Sequence, residues 1–272
     1  MSASRSNLAR ALLAAITVAL ASVLLVASAR SAEAWRAPAR DGVSARVAAT
    51  APTLRTMIVG RGNAILSPAR TVVASAATVR VGARDCAVAA ATPLAVLAAV
   101  RRDGGPGFAL RDYGRCGASS ASSAALFVYA LGGERNSGQS GWEYKVDGVS
   151  GSAGAADPSG PQGDGHRLRS GQQVLWFWCN AHAAGCQRTL ELSSSQGTVA
   201  AGGRVVVTVR GRENEGRAVP IAGAIVTLGS DFASTDSTGR AQLLAPGSPG
   251  RYALGATRRG LVPAFPGTVV VQ

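Results

Sequence analysis

Two short segments hold three of the chain's four tryptophans, and their side-chain pattern constrains the fold more than any other feature. In residues 141–148, Trp142 and Tyr144 alternate with Glu143 and Lys145. Side chains of a β-strand point alternately to its two faces, so this pattern predicts a strand with one buried face and one polar face.

The second segment, residues 171–179, is apolar on both faces. Trp176 and Trp178 share one face, while Leu175 and Phe177 share the other. A strand of this kind is covered on both sides. The pattern therefore predicts either a central strand or an edge strand with a ligand over it.

The amino terminus has the layout of a secretory signal peptide. Arg5 and Arg10 precede an apolar run over residues 11–26, and Ala-x-Ala sites follow it, the last ending at Ala34. We predict that residues 1–34 are a cleaved signal peptide; the alternative is an uncleaved membrane anchor. The predicted location is secreted or in the cell envelope, with membrane contact only through this segment.

The charge of the chain is positive but not arranged for nucleic acid. Without residues 1–34 the formal net charge falls from +13 to +11, and Lys145 is the only lysine. The arginines are scattered, and no basic helix with interleaved aromatics occurs, so no nucleic-acid partner is expected. Long-range attraction to an anionic envelope or an acidic polysaccharide is open, and salt would weaken it.

The four cysteines predict two disulfides in an exported chain. Three connectivities are possible, and we favour the pairs close in sequence, Cys86–Cys116 and Cys179–Cys186. A zinc site from Cys179, His182 and Cys186 is the alternative, but its spacing matches no closed structural site. No metal and no cofactor are predicted.

Residues 35–53 are rich in Ala, Arg, Ser and Pro and predict a disordered tether. Order begins near Leu54 with short strand candidates at 54–60, 64–67, 70–73 and 78–81. A helix is predicted from Thr92, as its cap, and Pro93 to the Asp-Gly-Gly stop at 103–105. One helix among mainly antiparallel strands predicts an α+β domain over residues 54–187.

Residues 188–272 have a different character. Short β-branched strand candidates at 189–192, 204–210, 224–228, 241–244, 252–254 and 268–271 are separated by Gly, Pro, Asp or Ser. No helix candidate occurs. This spacing predicts an all-β sandwich domain.

Several motifs of the first domain carry a family resemblance. They are the strand at 56–60, the helix start at 92–97, the Gly-Trp-x-Tyr-x-Val-x-Gly segment at 141–148 and the Gly-x-x-Val-Leu-Trp segment at 171–176. Together they resemble the bacterial domain of unknown function related to the carboxyl-terminal domain of transcobalamin and intrinsic factor, which implies a β-grasp-like fold. The chain has Asp147-Gly148 where the family commonly has Asn-Gly, and Gly171-Gln172 where it has Gly-Asp. Both departures fall at turns.

The second domain also carries a resemblance. Its motifs are residues 219–226, the turn Ser-Thr-Asp-Ser-Thr-Gly at 234–239, and residues 250–254 with Tyr252 expected in the core. They are similar to the transthyretin-like and Ig-like modules grouped as carboxypeptidase regulatory-like domains. Neither family implies a catalytic residue set.

Candidate binding residues come from the aromatic segments, and candidate catalytic residues are few. If the resemblance to cobalamin carriers extended to function, Trp142, Tyr144, Trp176 and Trp178 would line an apolar site, with residues 151–165 as a lid. The alternative is that they fill the core under the helix.

A catalytic triad could be composed from Ser170, His166 and Asp164, but no nucleophile-elbow motif surrounds a serine. Asp157 and Asp164 lack the spacing of a calcium loop. No catalytic residues are predicted, and the chain is not expected to be an enzyme.

The sequence predicts a secreted or cell-envelope non-catalytic binding protein that recognises a small molecule, a glycan or an envelope partner. Trp176 and Trp178 would be its main contacts. The alternative is a structural or adhesive surface protein with the sandwich as a spacer and no dedicated ligand. Exposure separates the two, because complete burial of Trp176 and Trp178 would remove the aromatic binding site.

Overall fold

A computed structural model of the chain describes residues 51–182 and 185–272. The predicted signal peptide, residues 1–34, and nearly all of the predicted tether, residues 35–53, lie outside the described residues.

The first β region contains ten strands and the one α-helix of the described residues. Its elements are β1 (Thr53–Val59), β2 (Ile65–Val73), β3 (Ala77–Val81), β4 (Arg84–Val88), α1 (Pro93–Arg102), β5 (Phe108–Asp112), β6 (Leu126–Leu131), β7 (Glu134–Arg135), β8 (Gly141–Val146), β9 (Val149–Ser150) and β10 (Gln173–Cys179).

Five of these strands form a mixed sheet in the order β2-β1-β10-β8-β9. The pairs β1–β2, β10–β8 and β8–β9 are antiparallel, while β1 and β10 run parallel. The second aromatic segment thus forms a central strand, which is one of the two arrangements that the sequence predicts. The hairpin β3–β4 and the three-stranded sheet β5-β6-β7 complete the region.

Helix α1 begins and ends where the sequence predicts. The hydroxyl oxygen of Thr92 accepts a hydrogen bond of 3.3 Å from the backbone N–H of Ala95, and Pro93 occupies the first turn. Most of the helix is buried, and it packs in one apolar cluster with the Val174, Trp176 and Trp178 face of β10. The short Ala-rich helix is stable because this face of the sheet covers it.

The second β region contains nine strands. They are β11 (Thr189–Ser194), β12 (Thr198–Val199), β13 (Arg204–Arg212), β14 (Ala218–Pro220), β15 (Ile225–Leu228), β16 (Asp231–Ser234), β17 (Arg240–Leu244), β18 (Gly250–Thr257) and β19 (Gly267–Val271).

These strands form two sheets that enclose one core. One has the order β11-β13-β14 with β17 also paired to β13, and the other has the order β12-β19-β18-β15-β16. Alternate side chains of β13, Val205, Val207 and Val209, are fully buried, and they meet Val226 and Val269 of the opposite sheet in the same cluster. The predicted β-sandwich is confirmed.

No strand of the first region pairs with a strand of the second within the described residues. All of these residues nevertheless belong to one compact unit. The boundary at residues 187–188 and the β-grasp topology of the first region stay predictions.

Candidate functional site

The four aromatic residues predicted to bind a ligand form a cluster on neighbouring strands. The ladder between β8 and β10 places Trp142 opposite Trp178 and Tyr144 opposite Trp176. The rings of the first pair are edge-to-face with centroids 5.8 Å apart, and those of the second are tilted with centroids 5.3 Å apart. These are favourable aromatic geometries.

All four side chains are buried. Trp176 is 1% exposed and Trp178 4%, and Trp142 and Tyr144 are as deeply buried. Trp178 is also covered by the guanidinium of Arg61, whose central carbon lies 4.0 Å from the ring centroid. Because Trp176 and Trp178 are buried, they do not form an open aromatic surface. Their role as ligand contacts stays a prediction, and it now requires a groove that reaches them.

The loop predicted as a lid is fastened to this cluster. The hydroxyl of Tyr144 contacts the carbonyl oxygens of Ala153 at 2.8 Å and Pro161 at 3.1 Å. The backbone of Gly151 lies so close to the Tyr144 ring that a Cβ atom there would come within 2.0 Å of it. Residues 151–165 therefore form a wall held by Tyr144, and only glycine fits at position 151.

The opposite face of β10 is covered by the second β region. Leu175 and Phe177 of β10 and Met57 of β1 form a buried cluster with Val262, and Phe265 packs against it. We call this contact the junction. It explains why the 171–179 segment is apolar on both faces: α1 and its neighbours cover one face, and the sandwich covers the other.

Lys145 lies at the junction and contradicts the prediction of a polar outer face for β8. The chain's only lysine is 0% exposed, and its Nζ donates hydrogen bonds of 3.0 Å to the carbonyl oxygens of both Arg212 and Glu213. Burial lowers the pKa of Lys145 to about 8, while the carboxylates of Glu215 and Glu213 oppose this shift. The alternating pattern of β8 predicted that Lys145 is exposed to solvent, because the pattern contains no information about the sandwich that covers this face.

Further polar contacts cross the junction. The guanidinium of Arg55 donates to the carbonyl oxygen of Pro266, the side-chain amide of Asn63 to that of Leu261 at 2.8 Å, and the backbone N–H of Ser150 to that of Asn214 at 2.8 Å. The junction also encloses a cavity of about 230 Å³ that Lys145 and Arg212 help to line. The guanidinium of Arg212 is paired with Glu191 at 2.7 Å, so it is not free to hold an anion.

Both predicted disulfides are present. Cys86 is bonded to Cys116, and Cys179 to Cys186. The first ties β4 to the segment after β5, and the second closes a short loop after β10. Because Cys179 and Cys186 are oxidised, they cannot serve as thiolate ligands, and no cluster of metal-ligating side chains occurs among the described residues.

The residues considered for catalysis are not assembled into a triad. The carboxylate of Asp164 accepts from the backbone N–H of His166, and the hydroxyl of Ser170 accepts from the backbone N–H of Thr53. The ring of His166 contacts Arg169 at 3.5 Å. The contacts of Asp164 and His166 are local loop contacts, the contact of Ser170 ties the loop to the start of β1, and all three residues are exposed.

His182 pairs through its backbone with Gly185, in the loop closed by the second disulfide. In the part of the chain that the structure describes, no helix is both long and apolar enough to cross a membrane.

No protein-family model matches the chain, and no curated protein matches it. Among solved structures, it is similar to the D0-D1 domain of Intimin, with 17% identity, 36% of this chain and 54% of that chain covered, and a TM-score of 0.23.

Two further structures have similar values. For the D00-D0 domain of Intimin, the identity is 16%, 54% of this chain and 89% of that chain are covered, and the TM-score is 0.24. For a glycosyl hydrolase family 2 member from Bacteroides cellulosilyticus, the identity is 15%, 54% of this chain and 22% of that chain are covered, and the TM-score is 0.26. Similarities at this level support no inference about function.

Proposed function

We propose that the protein is a non-catalytic surface or cell-envelope protein with a structural or adhesive role. The observation that carries this proposal is the junction. The sandwich covers Leu175 and Phe177 on one face of the central strand β10, so it supports the first β region and is not a separate spacer.

The junction supports a structural role because it combines three kinds of contact. Apolar side chains from both regions share one buried cluster, Lys145 donates across it, and backbone groups on three loops are paired across it. Separating the regions would expose the apolar cluster to water and break the hydrogen bonds that Lys145 and the loop backbone groups make across the junction. We expect a protein with such a junction to resist the separation of its two regions under mechanical force.

The disulfides support a location outside the cytosol. Two disulfides persist in oxidising compartments, which agrees with the signal peptide predicted for residues 1–34. In this proposal the protein is secreted or remains in the envelope, its only membrane contact is the amino-terminal segment, and it acts without a cofactor or a metal.

The domain assignments of the proposal come from the sequence resemblances. Residues 54–187 would be the transcobalamin-related β-grasp-like domain, and residues 188–272 the carboxypeptidase regulatory-like, Ig-type sandwich. The burial of the aromatic cluster supports the structural reading, since these rings serve the core.

Location and adhesion test this proposal directly. Intact producing cells are treated with an added protease and then fractionated, and beads coated with the purified protein are mixed with the same cells. We expect protease-accessible protein in the envelope or the medium, and more cell binding than by albumin-coated beads. Recovery only from the cytosol would contradict the proposal.

A second candidate function rests on one exposed surface. We define the β5–β6 face as Arg111, Tyr113, Phe127, Tyr129 and Arg135. Tyr113 is 70% exposed and packs against Phe127 with ring centroids 6.0 Å apart, while the guanidiniums of Arg111 and Arg135 lie 5.0 Å and 5.9 Å from the Tyr129 ring. Exposed aromatic rings flanked by arginines suit an anionic glycan, with rings for stacking and guanidiniums for carboxylates or phosphates.

Binding to alginate, an acidic polysaccharide, tests this second candidate. We expect retention on immobilised alginate that falls as salt rises, and a loss of about tenfold in affinity for Arg111→Gln with Arg135→Gln. The matched control removes two exposed sandwich arginines, Arg204→Gln with Arg251→Gln, for the same change in charge. Equal losses in the two double variants would show that net charge, and not the β5–β6 face, is responsible.

A further inference from the structure

A groove of about 210 Å³ separates β6 from the first half of β8. Its walls are residues 126–128, residues 142–144 and residues 153–155 of the fastened loop, and Trp176 lines it as well. The edge of each strand that faces the groove has no strand partner there, because β7 pairs with β6 only at Ala130 and Leu131, and β9 pairs with β8 only at Lys145 and Val146.

Asn136 links the two strand edges. Its side-chain oxygen accepts from the backbone N–H of Trp142 at 3.0 Å, and its side-chain nitrogen lies 3.4 Å from the carbonyl oxygen of Val128. The groove is therefore bounded by fixed walls: Asn136 links its two strands, and Tyr144 holds its loop.

Trp176, which lines this groove, carries an unpartnered donor. Its indole Nε1 is buried and has no hydrogen-bond partner, the one such side-chain atom in the part of the chain that the structure describes. The neighbouring polar groups are satisfied, since Nε1 of Trp142 donates to the carbonyl oxygen of Glu134 at 3.0 Å and the hydroxyl of Tyr144 has two carbonyl partners. A buried donor without a partner costs about 1–3 kcal/mol, so it is rarely retained without a use.

The lining defines what would fit beside that donor. Leu126, Phe127, Val128, Trp142 and Tyr144 supply apolar and aromatic surface. The one charged residue that lines the groove, Glu143, is exposed, and the lining contains no cationic side chain to hold an anion. The volume suits a single ring or a short chain.

We propose that this groove is a binding site for a small neutral molecule with an apolar ring and one carbonyl-type acceptor oxygen, which accepts a hydrogen bond from Nε1 of Trp176. This inference does not rest on the proposed adhesive role, because it concerns the helix side of the sheet and not the junction. A structural protein can carry such a site, and the two proposals fail separately.

The test uses two probes of one shape, cyclohexanone and methylenecyclohexane, of which only the first has an acceptor oxygen. Each is titrated into the intact ¹⁵N-labelled protein while the indole N–H resonances are followed. Cyclohexanone should move the Trp176 indole proton downfield in a saturable way, and it should bind about 3- to 10-fold more tightly than methylenecyclohexane.

Two variants separate the donor from the shape of the groove. Trp176→Phe removes the free N–H, so the preference for cyclohexanone should disappear. Trp142→Phe is the matched control: it also alters the lining, but its N–H already has a partner, so the preference should persist.

Three results would overturn the proposal. They are an unchanged Trp176 resonance with both probes, equal affinity for the two probes, or a ketone preference that survives Trp176→Phe. A water molecule held permanently by the indole would give the first of these. If Trp176→Phe does not fold, the resonance and the probe comparison in the natural protein still decide.

Discussion

The Nζ of Lys145 lies 3.0 Å from the carbonyl oxygen of Arg212, so the only lysine of the chain joins the sheet of the first β region to a strand of the sandwich. Its second partner, the carbonyl oxygen of Glu213, is the same distance away. A charged group held by two carbonyls and no carboxylate is under-compensated, which is why burial lowers the pKa of Lys145 to about 8.

This depressed pKa predicts that stability rises with pH in the alkaline range. Between pH 8 and 10.5 the unfolded chain binds the proton that the folded protein releases, so the free energy of unfolding increases with pH. Burial also raises the pKa of Tyr144, which keeps its proton when folded and so lowers stability from about pH 10 upward. We expect a gain of about 2 kcal/mol between pH 8 and pH 10 in urea unfolding.

Lys145→Met is the control for this prediction. Methionine keeps much of the apolar stem and removes the titrating group, so the rise between pH 8 and pH 10 should vanish whatever happens to the absolute stability. A rise of the same size in Lys145→Met would assign it to another group.

The junction predicts a large cost for removing Phe177. Its side chain is fully buried between the sheet and the sandwich, so Phe177→Ala should lower the free energy of unfolding by about 3–5 kcal/mol through lost burial and a cavity. Phe232→Ala on β16 is the comparison, because Phe232 is 71% exposed and its loss should change stability by no more than about 0.5 kcal/mol. Similar costs for the two variants would show that the junction is not packed in solution.

The two disulfides differ in the length of chain that they close. Cys86 and Cys116 are 30 residues apart, and Cys179 and Cys186 are 7 apart. On the chain-entropy model, replacing the first pair with serine should cost about 3.5 kcal/mol, and replacing the second about 2.5 kcal/mol. Denaturant midpoints of the two double variants measure the difference, and the reverse order would contradict the entropic account.

Gly151 predicts a specific backbone requirement. In Gly151→Ala the new methyl group meets the Tyr144 ring, so the loop or the ring must shift at a cost of about 1–3 kcal/mol. Gly247→Ala adds its methyl group to open space at an unstrained position and should be nearly neutral. Thermal unfolding of both variants measures the difference. If the loop at Gly151 is loosely packed, the two variants will have the same melting temperature.

Much of the secondary structure could be predicted because local signals were strong. Neighbouring residues were enough to predict the helix start at Thr92 and Pro93, the strands of both aromatic segments and the turn at Asp147. The strands β4 and β5 were missed, since Arg84–Val88 and Phe108–Asp112 show no clear alternation and depend on hairpin partners. Strand β13 was predicted from the run of β-branched residues at 204–210.

The candidate site was harder to predict than the fold. The sequence identified Trp176 as a residue of interest, but it could not show that its indole N–H is buried without a partner while that of Trp142 donates to the carbonyl oxygen of Glu134. Those partners come from loops and neighbouring strands, and no spacing rule encodes them. The same limit applied to Lys145, whose burial depends on a strand more than sixty residues away.

By itself, the sequence determined the periodicity of the strands, the helix cap, the cysteine pairs that closed most readily, and the presence of one strand apolar on both faces. Each of these depends on residues that are near one another in the chain. Only the tertiary structure decided what covers each face of β10, because burial results from contacts between distant segments. The apolar cluster around α1 buries the Trp176 and Trp178 face, over which the sequence left room for a ligand, and the sandwich buries the opposite face, while the groove lined by Trp176 stays open.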